Sequence, residues 1–305
     1  MKILNRIINK ARNVEVPTPV QRAFSKQELD TVELSAKKSK PAGIIAKIKE
    51  SLIGLDKATV KSLENMSTPE EFFTEARALI LKPTGIPEKF WPGILFREVY
   101  KAPKIFGALY DFTSHIAYFP PKILKKSSKC ALFSCLRHEL THSEQNISIL
   151  RTKGLGEEAV KQYAELTAKA QVDNFVQGWK ELPESRALEA LQNGEFAEDS
   201  YNLVMKFKAC KDENEIAAFT KESYDSEHKV FLNNWENFRK NIVAEMGEIS
   251  PDSKEGEFAK QYFAEFMNAA KNAMSGYMTR ISEGEAYIKQ YAAYFEYLWA
   301  KFFKA

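Results

Sequence analysis

The sequence contains few cysteines and no pair of them at metal-binding spacing. Only Cys130, Cys135 and Cys210 occur in 305 residues, and no Cys-x-x-Cys pair is present. A small, odd number of cysteines without that spacing argues against a disulfide framework and against a thiolate zinc site. We therefore expect three reduced, buried thiols.

Long apolar runs are also missing. Runs such as residues 43–46 are far shorter than the ~20 residues that cross a bilayer, so we expect no transmembrane segment. The N-terminus lacks the apolar stretch of about 7 to 15 residues that characterises a secretory signal. These absences predict a cytoplasmic protein and leave signal-independent export open.

Excess positive charge is confined to the start of the chain. Residues 1–26 contain six lysines and arginines and one glutamate, a net charge of +5, which leaves −2 for the rest of a chain whose overall charge is +3. A main body without excess positive charge does not support a nucleic-acid partner.

Residues 1–42 are predicted to be a basic, flexible tail or linker. The segment has Pro17, Pro19 and Pro41 and no sustained apolar period. Isoleucines at helical spacing in residues 1–12 also allow a short amphipathic helix with weak contact to a membrane or a partner. A solvated end is the interpretation we favour.

The remaining chain, residues 43–305, is predicted to be α+β and mostly α-helical. Thr68-Pro69-Glu70-Glu71 has the pattern of a capping box and predicts a helix to about Leu81. In residues 105–120, β-prone residues flank the turn 111–114 and predict a small hairpin. After Lys125 the apolar period is helical almost throughout, including a long C-terminal aromatic helix that we expect to pack into the core.

The pattern H-E-x-x-H occurs once, at His138-Glu139-Leu140-Thr141-His142, within a helix predicted from about 127 to 150. Residues four apart share a helical face, so both imidazoles can bind one metal ion. Glu139 then points beside the metal, toward a bound water. The histidines lie off the apolar stripe of the same helix, which places them at a cleft.

This pattern, preceded by a β-strand at residues 114–119, resembles the zincin metallopeptidases, and in particular the gluzincins. The resemblance implies a zincin-like metallopeptidase domain over residues 43–305, with a helical insertion at about 155–275. It also implies a Zn²⁺ cofactor, a peptide or protein substrate and Glu139 as general base. The strand would be an edge strand that pairs with the substrate backbone through Ile116, Ala117, Tyr118 and Phe119.

The resemblance requires a third zinc ligand. Metzincins have a third histidine six residues after the second, and Ser148 occupies that position here, so an acid is expected. Glu283 is favoured, because Ser282-Glu283-Gly284 resembles a gluzincin helix start and Ala286 completes E-x-x-A. Glu165 and Glu285 remain alternatives. Tyr287 stands where many gluzincins have an aspartate that orients the first histidine, and its phenol is expected to accept that ring N–H.

Several other residues have two interpretations. Gln145 and Asn146 continue the ligand face of the helix, either as groups near the metal or as an ordinary polar face. His115 and His228 are expected to be structural, and the alternative is that one of them stabilises an oxyanion. For the whole chain, the alternative to a zinc peptidase is a catalytically inactive, zincin-like helical interaction protein.

Overall fold

The computed structural model describes residues 50–97, 108–194, 198–271 and 281–302. The predicted tail at 1–42, its possible membrane contact at 1–12 and the start of the folded part near residue 43 lie outside these ranges. Within them, no helix is both long enough and apolar enough to cross a membrane.

The described chain consists of ten α-helices, two short 3₁₀ helices and three short strands. The helices are α1 (Lys57–Asn65), α2 (Pro69–Leu81), α3 (Pro121–Lys126), α4 (Lys129–Arg151), α5 (Leu155–Glu181), α6 (Glu184–Gln192), α7 (Glu198–Lys208), α8 (Glu213–Met246), α9 (Lys254–Lys271) and α10 (Ile281–Phe302). The strands are β1 (Gly93–Leu95), β2 (Leu109–Asp111) and β3 (Ile116–Tyr118). The 3₁₀ helices are Lys82–Thr84 and Glu88–Phe90. The predicted mostly helical α+β class is confirmed.

The predicted hairpin is present as the antiparallel pair β2–β3, with Tyr110 opposite Ala117. Asp111 closes its turn, because its carboxylate accepts hydrogen bonds from the Thr113 amide, the Thr113 hydroxyl and the Ser114 hydroxyl. His115 follows with a φ of 55°, a left-handed backbone conformation that is uncommon outside glycine.

The expectation that residues 116–119 form an edge strand is wrong. The sheet order is β1-β3-β2, so β3 is the central strand and pairs in parallel with β1 on its other side. The Gly93 amide donates to the His115 carbonyl, and the Phe119 amide donates to the Leu95 carbonyl. The edge position was implied by the zincin resemblance alone. The strand β1, with three residues starting at a glycine, has too weak a sequence signal to be predicted as a partner for β3.

Caps fix the ends of the first two helices. The predicted capping box is confirmed at α2, where Thr68 and Glu71 accept each other's backbone amides. At the end of α1, the Lys129 ammonium donates to the carbonyls of Leu63, Glu64 and Met66. The last carbonyls of a helix lack the full set of partners found in its interior, so this cation from α4 supplies donors at the end of α1 and attaches α1 to α4.

The described part of the chain divides into two compact units. The first combines the residues before 150 with those from 254 onward, and the second consists of residues within 150–253. The expected insertion at 155–275 overlaps the second unit, whereas α9 belongs to the first. The first unit has a core in which α1, α2, β3, α4 and α10 meet. Its buried apolar residues are Leu55, Val60, Leu63, Phe72, Phe73, Ala76, Ile80, Leu81, Ala117, Phe119, Cys130, Leu132, Phe133, Leu136, Leu140, Ala293, Tyr297 and Ala300.

The expectation of a core-packing C-terminal helix holds for only part of α10. Tyr297 is fully buried, but Phe295, Trp299 and Phe302 are 44%, 44% and 64% exposed. All three cysteines are free, yet only Cys130 is buried, and Cys135 and Cys210 are partly exposed.

The second unit is built on the pairing of α5 with α8, where Tyr163 packs edge-on against Trp235. Gly154 begins α5 with a φ of 78°. Gly156 allows a close approach, since a Cβ there would overlap the Leu150 carbonyl and the Arg239 side chain. The two glycines therefore make the tight α4–α5 turn.

Candidate metal centre

Two helices of the first unit supply the predicted ligands. Helix α4 carries His138, Glu139 and His142, and the first turn of α10 carries Glu283. All four side chains are buried, with exposed fractions of 5–6%. Leu132, Phe133, Leu136 and Leu140 bury another stripe of α4 in the core. The ligand face lies beside Glu283 in the first turn of α10.

The three candidate ligands converge. His138 Nε2 lies 3.2 Å from His142 Nε2 and 3.4 Å from Glu283 Oε2, and His142 Nε2 lies 3.5 Å from Glu283 Oε1. Tetrahedral zinc with bonds of about 2.0–2.1 Å places its ligand atoms about 3.4 Å apart. These three residues form a buried group that could hold a metal ion.

The polar atoms of the group also fit a metal. Glu283 Oε2 is buried and, like His138 Nδ1, has no hydrogen-bond partner among the described residues. A buried carboxylate oxygen without a donor is costly in a folded protein. A cation bonded to Glu283 would remove that cost.

The charges of the group stabilise one another. Burial would raise the pKa of Glu283, but the nearby His142 and His138 outweigh it and hold that pKa well below its usual range. Burial would lower the pKa of His142, but Glu283 and Glu139 raise it to about 9. Burial raises the pKa of Glu139, against the opposing effect of the two histidines.

The strand that borders Glu139 is β2, not the predicted 116–119. The Tyr110 amide donates to Glu139 Oε2 over 2.7 Å. The backbone of Ile116–Tyr118 pairs with strands on both sides, and Phe119 is buried in the core. The predicted backbone pairing of residues 116–119 with a substrate therefore has no open sheet edge at which to form.

A chain of hydrogen bonds fixes Tyr110. Asn146 Nδ2 donates to the Tyr110 hydroxyl over 3.0 Å, and that hydroxyl lies 2.6 Å from His115 Nδ1. His115 Nε2 lies 2.9 Å from the Phe90 carbonyl, which can only accept, so Nε2 is protonated and Nδ1 accepts from Tyr110. Asn146 and His115 thus position the strand that contacts Glu139. Sequence reasoning missed Tyr110, because its key contact uses a backbone amide.

The remaining residues that the sequence suggested for the site lie outside the group of three candidate ligands. Glu285 is hydrogen-bonded to Gln145 and Tyr262, and is not in the metal-ligand group. Glu165 lies on α5 in the second unit. His228 also lies in the second unit and stacks on Tyr224.

Tyr287 contacts His138 through its ring. The two ring centroids are 4.6 Å apart in an edge-on arrangement. The expected hydrogen bond from His138 Nδ1 is not formed, because the phenol ring packs against the imidazole and leaves that nitrogen without a partner among the described residues.

Aromatic residues form a wall beside His142. Phe266 of α9 lies with its ring centroid 6.1 Å from that of His142 and is stacked on Phe112 from the hairpin turn at 5.1 Å. The turn and α9 therefore shield one side of the ligand group.

The chain matches no family model, no curated protein and no solved structure. The zincin resemblance therefore stays a prediction from the motif residues.

Proposed function

We propose that this protein is a zinc-dependent hydrolase of the gluzincin type that cleaves amide bonds in a peptide or protein substrate. The observation that supports it most is the convergence of His138, His142 and Glu283 at tetrahedral ligand spacing, with Glu139 beside them. Two imidazoles and one carboxylate leave a fourth position open, which is the pattern of catalytic zinc sites.

In this proposal His138, His142 and Glu283 bind the ion, and each histidine presents Nε2 to it. Zinc, when bound, polarises a carbonyl and lowers the pKa of water. Glu139 Oε1 accepts the proton of the attacking water and passes it to the leaving amine.

The hydrogen bond from the Tyr110 amide to Oε2 fixes the rotamer of Glu139 for this transfer. Because this hydrogen bond uses Oε2, the other carboxylate oxygen, Oε1, is the one assigned to the reacting water. The burial that raises the pKa of Glu139 also brings its basicity closer to that needed for proton transfer near neutral pH.

The test compares the zinc-loaded protein with its Glu139→Gln variant on a mixed peptide library, with new termini read by mass spectrometry. Loss of the general base should lower cleavage by about 100-fold or more while the zinc content stays the same. His228→Asn, in the second unit, is the matched control and should cleave normally. Equal cleavage by the wild type and Glu139→Gln would contradict the assigned role.

An inactive helical interaction protein is the alternative, and the exposed Phe295, Trp299 and Phe302 on α10 favour it. Such a protein would bind zinc but show no cleavage that depends on Glu139. The same experiment therefore separates the two functions.

A further inference from the structure

A continuous polar network leads away from His142. Gln145 lies one helical turn after His142 on α4, and its Oε1 is 2.9 Å from His142 Nδ1. Gln145 Nε2 donates to Glu285 Oε2 over 3.0 Å. Gln145 is 2% exposed, so its amide is buried and must use both of its ends within the protein.

Glu285 is fixed as a charged acceptor by two further donors. The Tyr262 hydroxyl donates to Glu285 Oε2 over 2.6 Å, and the Lys289 ammonium lies 3.1 Å from Oε1. Lys289 also binds Glu144 over 2.6 Å, and Glu144 pairs with Arg137.

These contacts determine the orientation of the Gln145 amide. The Glu285 carboxylate is paired with the Lys289 ammonium and accepts from the Tyr262 hydroxyl, so the NH₂ group of Gln145 is the end that faces it. The carbonyl oxygen must then point at His142, where it accepts only from a protonated Nδ1. A histidine must be neutral to bind a metal ion. With its one proton kept on Nδ1, a neutral His142 has the lone pair of Nε2 on the side of His138 and Glu283.

We propose that Gln145, oriented by Glu285, is the positioning residue that fixes the His142 tautomer for metal binding. The inference rests on the proposed zinc site and gives Glu285 an outer role in place of a ligand role. It also makes the two histidines unequal, because His138 Nδ1 has no such acceptor among the described residues.

The test is zinc affinity, measured by competition with a chromogenic chelator on the full-length, folded chain. Gln145→Leu retains the volume but removes the acceptor, and it should weaken zinc binding about 10- to 100-fold. Glu285→Ala should weaken it less, because Gln145 remains and loses only the contact with Glu285 that orients its amide. The double variant should be no weaker than Gln145→Leu, since Glu285 acts through Gln145.

Glu255→Ala is the matched control. Glu255 and Glu285 line the same cleft of about 420 Å³. Glu255 accepts a hydrogen bond from the Ser148 hydroxyl and is not in the metal-ligand group, so its removal deletes an equal charge and zinc affinity should stay the same. If Glu255→Ala weakens binding as much as Glu285→Ala, general charge loss explains the effect and the proposal is wrong.

The tautomer gives a second readout. In long-range proton–nitrogen NMR spectra of the zinc-loaded chain, the His142 ring should show a protonated Nδ1. In the Gln145→Leu variant that proton should exchange faster with solvent, because its hydrogen-bond acceptor is gone. Wild-type affinity in Gln145→Leu would overturn the inference and leave the zinc-site proposal standing. Failure of the wild type to bind zinc would overturn both.

Discussion

His115 illustrates how one residue combines a backbone constraint with an electrostatic one. Its left-handed backbone ends the hairpin turn, and its ring links Tyr110 to the Phe90 carbonyl. Burial lowers the pKa of His115 to about 4, and the hydrogen bond to Phe90 opposes that shift only partly. The folded protein therefore contains a neutral imidazole over a pH range in which the unfolded chain is protonated.

This difference predicts a pH dependence of stability. Between pH 6.5 and 4 the unfolded chain binds a proton at His115 that the folded chain does not, so the free energy of unfolding falls as the pH falls. The contribution of this group amounts to as much as about 3 kcal/mol. Urea unfolding at several pH values measures it.

His115→Asn is the matched variant, because asparagine tolerates a left-handed backbone but does not titrate. At pH 7.5 the variant should be less stable than the wild type, because the substitution removes the hydrogen bonds of the imidazole ring. It should have a shallower pH dependence below pH 6.5. Parallel curves for the two proteins would contradict the assignment.

At the residue scale, spacing alone predicted the central part of the site. H-E-x-x-H determines which side chains share a helical face, so His138, Glu139 and His142 could be identified without a fold. Glu283 required a helix-start pattern, and the structure brings it to the two histidines. The amide of Tyr110 and the amide orientation of Gln145 had no sequence signal, because they depend on tertiary neighbours.

The Glu296 carboxylate attaches α10 to the start of the described chain. Glu296 accepts hydrogen bonds from the amides of Ile53, Gly54 and Leu55 over 2.6–2.7 Å and is 7% exposed. The same helix carries Glu283, so this attachment helps to fix the helix that supplies the third candidate ligand. Sequence periodicity predicted the helix but not the residue that attaches it.

Glu296→Ala should therefore lower the free energy of unfolding by about 2–4 kcal/mol, because it leaves partly buried amides without acceptors. Thermal or urea unfolding gives the value. Phe295→Ala is the control on the same helix, and with 44% exposure it should cost far less. An equal loss in the two variants would show that the Glu296 carboxylate has no special role.

At the scale of the whole molecule, metal binding and folding should be linked. The two helices that carry the ligands are separate in sequence, and an unfolded chain does not bring Glu283 to the histidines. Zinc at 1,000 times its dissociation constant would stabilise the folded chain by about 4 kcal/mol. Class and helix content followed from periodicity, whereas the position of α10 beside α4 is a tertiary arrangement that no local pattern specifies.

The most direct test of the central claim is the zinc content of the protein, measured by elemental analysis after purification without a metal-affinity tag. The Glu283→Ala, Glu285→Ala and Glu165→Ala variants are measured in the same way after zinc loading. The account predicts about one zinc per chain in the wild type, in Glu285→Ala and in Glu165→Ala, and far less in Glu283→Ala. Of the three glutamates, only Glu283 contributes a direct bond to the ion. A wild type that takes up no zinc on titration would contradict the metal centre. Retention of zinc by Glu283→Ala with loss from Glu165→Ala would contradict the assigned ligand.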